Sequence, residues 1–259
     1  MPRIKLTLEY DGTDYVGWQV QPNGLSVQEA LETGLKELLG SRTEVVGAAR
    51  TDAGVHALGQ VACFDTARDL PMKAYWMGLT HLLPRDLSVV KAEVVEPGFD
   101  PRRASQGKRY RYSLSNRRTH APLRRRTHWE IYQPLDLAAM EGAAPALLGR
   151  HDFSAFRAAD CQAQHAVREL RTVQILRTGE DELSVWVEGT AFLKYMVRNL
   201  VGSLVEVGKG RQHPSWLASV LASRDRGLAG PTAPPHGLTL VEVLYGPGSP
   251  LAAEVDDGG

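Results

Sequence analysis

Near its start the chain alternates. Ile4, Leu6, Leu8 and Tyr10 are apolar or aromatic, and Lys5, Thr7 and Glu9 between them are polar. A period of two marks a strand with one buried face, and Asp11-Gly12 marks the turn that follows. Past the Pro22-Asn23-Gly24 break the period lengthens. Ser26 and Glu29 have the spacing of a capping box, Val27, Leu31, Leu35 and Leu38 line one helical face, and Gly40 supplies a stop, which together predict a helix. The same reasoning predicts strands around Val45-Val46, Gln60-Phe64, Val89-Val95, Tyr110-Leu114, Thr172-Leu176, Leu183-Glu188 and Leu240-Tyr245. Helices are predicted near Lys73-Leu82, Leu135-Leu148, Phe192-Val207 and Ser215-Ala222, with Pro145 weakening the end of the second of these four.

Half-buried strands mixed irregularly with helices, without repeated βαβ units, point to an α+β fold with a largely antiparallel sheet and flanking helices. Each part of the chain runs strand, helix, strand, helix, strand. This predicts two halves, 1–103 and 104–246, and after them a tail, 247–259, whose Glu254, Asp256, Asp257 and final glycines predict a disordered end.

Composition narrows the class. At 259 residues, 43% hydrophobic and 23% charged, the chain is long enough for one broad core or two smaller ones. It contains neither an apolar run of membrane-spanning length nor a signal-peptide core, so a cytoplasmic location without membrane association is expected. Cys63 and Cys161 are too few and too far apart for a disulfide framework or a zinc site. Thirty basic residues balance thirty acidic ones, so distribution matters more than the sum. From Pro101 to Trp129 the chain carries Arg102, Arg103, Lys108, Arg109, Arg111, Arg117, Arg118, Arg124, Arg125 and Arg126 with no Asp or Glu among them. From charge alone, a face neutralised by acidic neighbours and an RNA-contacting stripe are equally good readings. The interleaved Tyr110, Tyr112 and Trp129 tilt the choice toward RNA, because aromatic faces beside guanidinium groups suit unstacked bases.

Motifs that cradle nucleotides, GxGxxG and GxxxxGK[ST], are missing, as are HExxH, an acidic calcium loop and GxSxG. No cofactor and no metal is therefore expected. What remains is the stretch GAARTDAGVHALGQ, Gly47 to Gln60, in which Asp52 stands among small residues. Ala48, Ala49, Ala53 and Gly54 leave room for another backbone or a flat ligand, and Arg50 is placed to hold Asp52 ionised. Local physics favours a tight turn with Asp52 as its cap and Arg50 as its salt-bridge partner over a catalytic carboxylate.

The run ARTDAGVHALGQV closely resembles the active-site motif of the TruA-type tRNA pseudouridine synthases, and the resemblance is not confined to it. LEYDGTDYVGWQ and SVQEAL lie upstream, KRYRYSL in the middle, and HDFSAFRA, FLKYMVRNLVGSLVEVG and GLTLVEVLY downstream, in the family's order from about Ile4 to Tyr245. The resemblance implies a pseudouridine synthase fold of two similar halves with a central cleft. It also implies an isomerase that converts uridine to pseudouridine in the anticodon stem-loop of tRNA, at positions 38, 39 and 40 in tRNA numbering, as a homodimer. Residue by residue, it implies Asp52 as the catalytic nucleophile, Tyr110 as the substrate-contacting tyrosine, Arg198 as the partner of Asp52, and Arg50 as an arginine associated with RNA placement. Two positions depart from the family pattern: Ala49 stands where glycine is usual, and Lys194-Tyr195 where a His pair is common before MVRN.

Pattern alone reads some of these residues differently. Tyr110 shares a strand face with Tyr112 and Leu114, which is the arrangement of a sheet core. Arg198 lies in an apolar helix, where an unpaired guanidinium is costly and a carboxylate must be near. His56 reads as a structural hydrogen-bonder, and Trp18 and Gln19 as loop packing. Two other functions are compatible with parts of the sequence. A non-catalytic RNA-binding module would not need both Asp52 and Tyr110. A nucleoside glycosidase would want a second carboxylate, and neither the motif loop nor the MVRN helix has one.

Overall fold

The computed structural model describes residues 1–246, so the predicted disordered tail lies outside the described residues. Among these, ten strands form one sheet: β1 Arg3–Tyr10, β2 Val46–Gly47, β3 His56–Asp65, β4 Leu87–Val95, β5 Gly107–Asn116, β6 Trp129–Ile131, β7 Gly149–Asp152, β8 Val167–Arg177, β9 Glu182–Gly189 and β10 Leu238–Leu244. The strand order is β4-β1-β3-β10-β5-β9-β8-β7, with β2 on β3 and β6 on β5. Every pairing is antiparallel except β10 with β3 and β5 with β6. The last strand among the described residues therefore sits in the middle of the sheet, joining β3, early in the sequence, to β5.

The alternation read in the sequence sorts the two faces of this sheet. Ile4, Leu6, Leu8 and Tyr10 of β1, Tyr110, Tyr112 and Leu114 of β5, and Leu183, Val185 and Val187 of β9 are all buried. The residues between them, such as Lys5, Thr7, Arg109 and Glu188, are polar and point the other way.

Helix α1, Val27–Leu39, forms as its capping signals predict: the Ser26 hydroxyl accepts from the Glu29 amide at 3.1 Å, and Gly40 closes the helix at φ 75°. The segment predicted as a helix over Lys73-Leu82 is a π-helical turn, Ala74–Gly78, running into a single turn of helix, α2, Leu79–Leu82. Over Leu135-Leu148, α3 covers only Leu137–Ala143, and a 3₁₀ turn, Ala144–Leu147, carries Pro145, which has no amide to continue the α ladder. Helix α4, Met196–Gly208, begins four residues later than Phe192, because Tyr195 adopts a left-handed conformation at φ 64° that ends any helix extending upstream. Helix α5 is Trp216–Ser223.

Two strands have no counterpart in the pattern. β6 is three residues long, and β7 reads Gly-Arg-His-Asp at the sheet edge, too short and too polar to alternate. β3 starts at His56 and not near Gln60. Its early part, His-Ala-Leu-Gly, contains Gly59, where a Cβ would lie 2.4 Å from the Val241 carbonyl oxygen beside an irregularity in β10.

Helix α4 is buried along most of its length, and at Gly202 it lies so close to the Pro231–Ala233 segment that a Cβ would fall 1.7 Å from the Pro231 carbonyl oxygen. Gly202→Ala should force the two apart and destabilise the fold by about 1–3 kcal/mol, lowering the melting temperature by several degrees. A wild-type melting curve for this variant would mean that the contact gives way without cost.

Candidate active site

The loop that carries Asp52 is braced by backbone. A Cβ on Gly12 would lie 2.0 Å from the Val55 carbonyl oxygen, and one on Gly17, at φ 110°, would lie 2.8 Å from that of Thr51. The segment after β1 is thus pressed directly against the Asp52 loop. The Trp18 amide donates to the Thr51 carbonyl at 3.0 Å, and the Tyr10 and Thr51 hydroxyls are 2.8 Å apart. On the other side, the buried Gln60 side chain donates to the Ala49 carbonyl at 2.8 Å and accepts from its amide at 3.2 Å. Of the small residues, Ala48 and Ala49 are buried in this packing, Ala48 donating its amide to the Val61 carbonyl at 2.8 Å and Ala49 held by the Gln60 side chain.

Asp52 itself closes a turn, its carbonyl accepting from the Val55 amide at 3.1 Å. Its side chain pairs across the molecule with Arg198 of α4, whose Nη1 donates to Oδ2 at 3.4 Å. The two side chains are 20% and 12% exposed, respectively. Burial pushes the Asp52 carboxyl above the ordinary aspartate range, and the charge and hydrogen bond of Arg198, followed by the charge of Lys194, recover only part of that rise. Arg198 is held by more than Asp52: its Nε donates to the Ala233 carbonyl at 2.7 Å, and its Cζ lies 4.5 Å from the centre of the Tyr195 ring. Lys194, beside it, donates to Asp160 at 2.5 Å.

Tyr110 approaches from the sheet. One rung runs Val187, Tyr110, Leu240, Ala57, Tyr10 across β9, β5, β10, β3 and β1, which places the two tyrosines on one face with only Leu240 and Ala57 between them. The Tyr110 ring is 7% exposed and packs edge-on against Phe192, with centroids 5.0 Å apart. The core reading of this residue is therefore right for the ring. Its hydroxyl is different, since among the described residues it has no hydrogen-bond partner. Burial foremost, then Tyr10 and the nearby Asp52 charge, raise its pKa well above that of an ordinary tyrosine. Asp52, Arg198 and Tyr110 thus converge on the apolar face of the sheet beside the β3–β10–β5 seam.

Arg50 does not join them. Its side chain is exposed and makes no ion pair among the described residues, so the pairing of Arg50 with Asp52 expected from their spacing is replaced by the pairing with Arg198. His56 is a structural hydrogen-bonder. Its Nδ1 accepts from the Gly12 amide at 3.0 Å, which leaves Nε2 to donate toward the carbonyls of Arg126, at 2.8 Å, and His236, at 3.0 Å. Trp18 is buried against Gly47 and Gln19 is exposed.

The basic stripe is split. Arg109 is buried on the face opposite Tyr110, within 2.9 Å of Glu188 and 3.2 Å of Glu242. Arg124 pairs with Glu182, and Arg126 lies 3.5 Å from Asp14. Tyr112 is wholly buried and offers no free face to a base, while the half-buried Trp129 meets it edge-on with ring centroids 6.2 Å apart and carries Lys209 Nζ 5.7 Å from its own ring centre. Arg102, Arg118 and Arg125 are exposed and, with the half-exposed Arg117, have no carboxylate partner among the described residues. The contributions that the sequence pattern did not reveal are those of Tyr10, Gln60 and Ala233. Tyr10 closes a recognisable strand, but nothing in its spacing tells that its hydroxyl meets Thr51.

Comparison with known proteins adds a separate line. The family described as tRNA pseudouridine synthase matches residues 7–102 and 143–246. A protein of Myxococcus xanthus named tRNA pseudouridine synthase A is 65% identical over 265 residues, covering 100% of both chains. One of the same name from Geobacter sulfurreducens is 48% identical, covering 95% of this chain and 100% of that one. Among solved structures, an archaeal box H/ACA sRNP Nop10-Cbf5 complex aligns at a TM-score of 0.34 and 11% identity, over 78% of this chain and 44% of that chain, a likeness too remote to bear on the site.

The raised Asp52 carboxyl has a consequence for stability. A carboxyl whose folded pKa exceeds its unfolded value binds its proton more tightly when folded, so its contribution is fully present below the unfolded value and lost as pH rises through the folded one. Asp52→Asn has no such titration. The variant should therefore gain stability relative to wild type as pH rises from below the ordinary aspartate range through the raised value, and the difference should then level off. Urea unfolding at a series of pH values measures this, and a difference independent of pH would contradict the raised value.

Proposed function

Because the chain belongs to the tRNA pseudouridine synthase family, we propose that Asp52 is its catalytic carboxylate, Arg198 the partner that keeps that carboxylate usable, and Tyr110 the residue that receives the target uracil. The enzyme is an isomerase that converts uridine to pseudouridine in tRNA. The N1–C1′ bond breaks, the uracil turns, and a C5–C1′ bond forms. The proton that leaves C5 is matched by one gained at N1, so no atom is added or lost overall. Such a reaction needs a base out of its stack, one ionised carboxylate against the nucleoside, and a pocket that retains the detached base while it rotates.

The observation that carries this assignment is the convergence of three groups from distant parts of the chain: a mostly buried Asp52, an arginine 3.4 Å away, and, on the same sheet face, a tyrosine hydroxyl with no hydrogen-bond partner among the described residues. That hydroxyl is not among the enclosed polar atoms that lack a partner, so a substrate can reach it and supply the hydrogen bond it does not make within the protein's described residues. In this reading Asp52 attacks as nucleophile, Arg198 offsets part of the cost of keeping it charged, and Tyr110 stacks on the uracil near C5. Arg50, exposed on the same loop, is read as an RNA-placing residue. The halves 1–103 and 104–246 are taken as the two sides of the cleft, a division supported by the two separate blocks over which the family matches.

Substrate and setting extend the reading. We place the target uridines in the anticodon stem-loop, at positions 38, 39 and 40 of tRNA, and the enzyme in the cytoplasm as a homodimer, as its family resemblance implies. Among the described residues no helix is long and apolar enough to cross a membrane. The RNA backbone is assigned to Arg102, Arg117, Arg118 and Arg125, and not to Arg109, which is committed to Glu188 and Glu242.

Unmodified tRNA carrying tritium at uracil C5 tests the reaction. Wild type should release tritium without free uracil, and Asp52→Asn should bind tRNA with turnover reduced by at least a thousandfold, about 4 kcal/mol in the barrier. Free uracil would mark a hydrolase, a wild-type protein that binds without release would mark a binding module, and an active Asp52→Asn would remove the nucleophile assignment. If three or four of these arginines meet phosphates, tRNA affinity should fall roughly tenfold or more between 50 and 200 mM salt. Affinity insensitive to salt would move the RNA away from this segment.

A further inference from the structure

Tyr195 is one of only two non-glycine residues with positive φ among the described residues, at φ 64° immediately before α4. A bulky aromatic side chain rarely adopts this conformation, and it persists only where the surroundings hold it. Its side chain makes no capping hydrogen bond to the helix. The ring instead lies beneath two cations, with the Arg198 Cζ 4.5 Å and the Lys194 Nζ 5.3 Å from its centre. Each of the other cation–aromatic contacts in the described residues is 5.5 Å or longer.

Arg198 needs such a support. Its only hydrogen bond to Asp52 is long, at 3.4 Å, and a guanidinium on a flexible stem would be free to leave that arrangement for water. Two contacts oppose this: the Ala233 carbonyl fixes Nε at 2.7 Å, and the Tyr195 ring covers the guanidinium face. With an edge and a face both occupied, the plane of the group is set and Nη1 is left toward Asp52. We propose that Tyr195 is a positioning residue of the isomerisation, holding the Arg198 guanidinium in the plane from which it meets Asp52, with its left-handed backbone serving to bring the ring underneath. The proposal rests on the reading of Asp52 as the catalytic carboxylate.

Asp52 faces Arg198 and Lys194 from the α4 end, Asp160 as the partner of Lys194, and Tyr110 from β5, with Tyr10 of β1 farther along the same sheet face. Of these, Arg198 exerts the strongest pull toward the ionised carboxylate, so loosening it should be felt in the Asp52 titration.

Three variants separate positioning from a turn requirement. Tyr195→Gly and Tyr195→Asn both tolerate the left-handed backbone but lack the ring, and Tyr195→Phe keeps the ring without the hydroxyl. The ring-less pair should lower kcat several-fold at neutral pH with little change in KM for tRNA, and should shift the acid limb of kcat upward by about half a pH unit. Tyr195→Phe should match wild type in both. Carbon-13 titration of the Asp52 carboxyl in the free protein should show the same upward shift without reference to turnover. Wild-type titration and profile in both ring-less variants, or a Tyr195→Phe as impaired as they are, would overturn the proposal. An active Asp52→Asn would instead sink the nucleophile assignment, while the titration would still report whether Tyr195 holds Arg198.

Discussion

A carboxylate and a guanidinium meeting in a mostly dry place, brought there by segments 146 residues apart, set the terms for the rest of this molecule. An ion pair so placed does little for stability, because two desolvated charges recover through their attraction only part of what leaving water costs. Its retention is intelligible only if the surroundings are built to keep it. The loop under Asp52 is accordingly wedged by Gly12 and Gly17 and tied by Gln60 and Tyr10, and Arg198 is gripped by Ala233 and Tyr195. The tight Gly202 contact that holds the 231–233 segment on α4 belongs to the same arrangement, since that segment supplies the Ala233 carbonyl.

The pleat of the sheet keeps incompatible chemistries apart. Along β5, Tyr110 and Arg109 are adjacent in sequence yet serve opposite faces, one beside the candidate site and one in an ion-pair cluster with Glu188 and Glu242. A basic run in the sequence is therefore not a basic surface in the fold. What reaches solvent without a carboxylate partner among the described residues comes chiefly from the segments flanking β5, where alternation no longer dictates direction.

Legibility in the sequence followed the same physics. Elements whose signals are local and repeated, such as β1 and α1, could be read almost to the residue, because alternation and a capping box report a buried face directly. β6 and β7 could not, because two short edge pairings leave no periodic trace. The start of α4 was misplaced by four residues for a conformational reason, as apolar spacing says nothing about the sign of φ at Tyr195. At the site, the need for a carboxylate beside Arg198 was visible from its apolar helix, but the identity of that carboxylate depended on contacts across the whole chain. Neighbourhood in sequence suggested Arg50 for Asp52, and the fold turned Arg50 outward. The ring of Tyr110 obeys the pattern of a core residue while its hydroxyl does not, a distinction finer than a hydrophobic pattern can draw.

The position of β10 has a temporal side. It is the last strand among the described residues to be made, yet it supplies the rung between Ala57 and Tyr110 and follows directly on the segment that fixes Arg198. On the ribosome, β1, β3 and the Asp52 loop emerge long before it, and they wait with an unpaired seam. Without β10, neither β3 nor β5 has its neighbour at the seam, and the strand that follows the Asp52 loop is not joined to the part of the sheet on which α4 packs. A chain that stopped short of residue 231 would lack both the strand that joins β3 to β5 and the carbonyl that holds Arg198, so the seam of the sheet and the setting of the Asp52–Arg198 pair depend on the same late stretch of sequence.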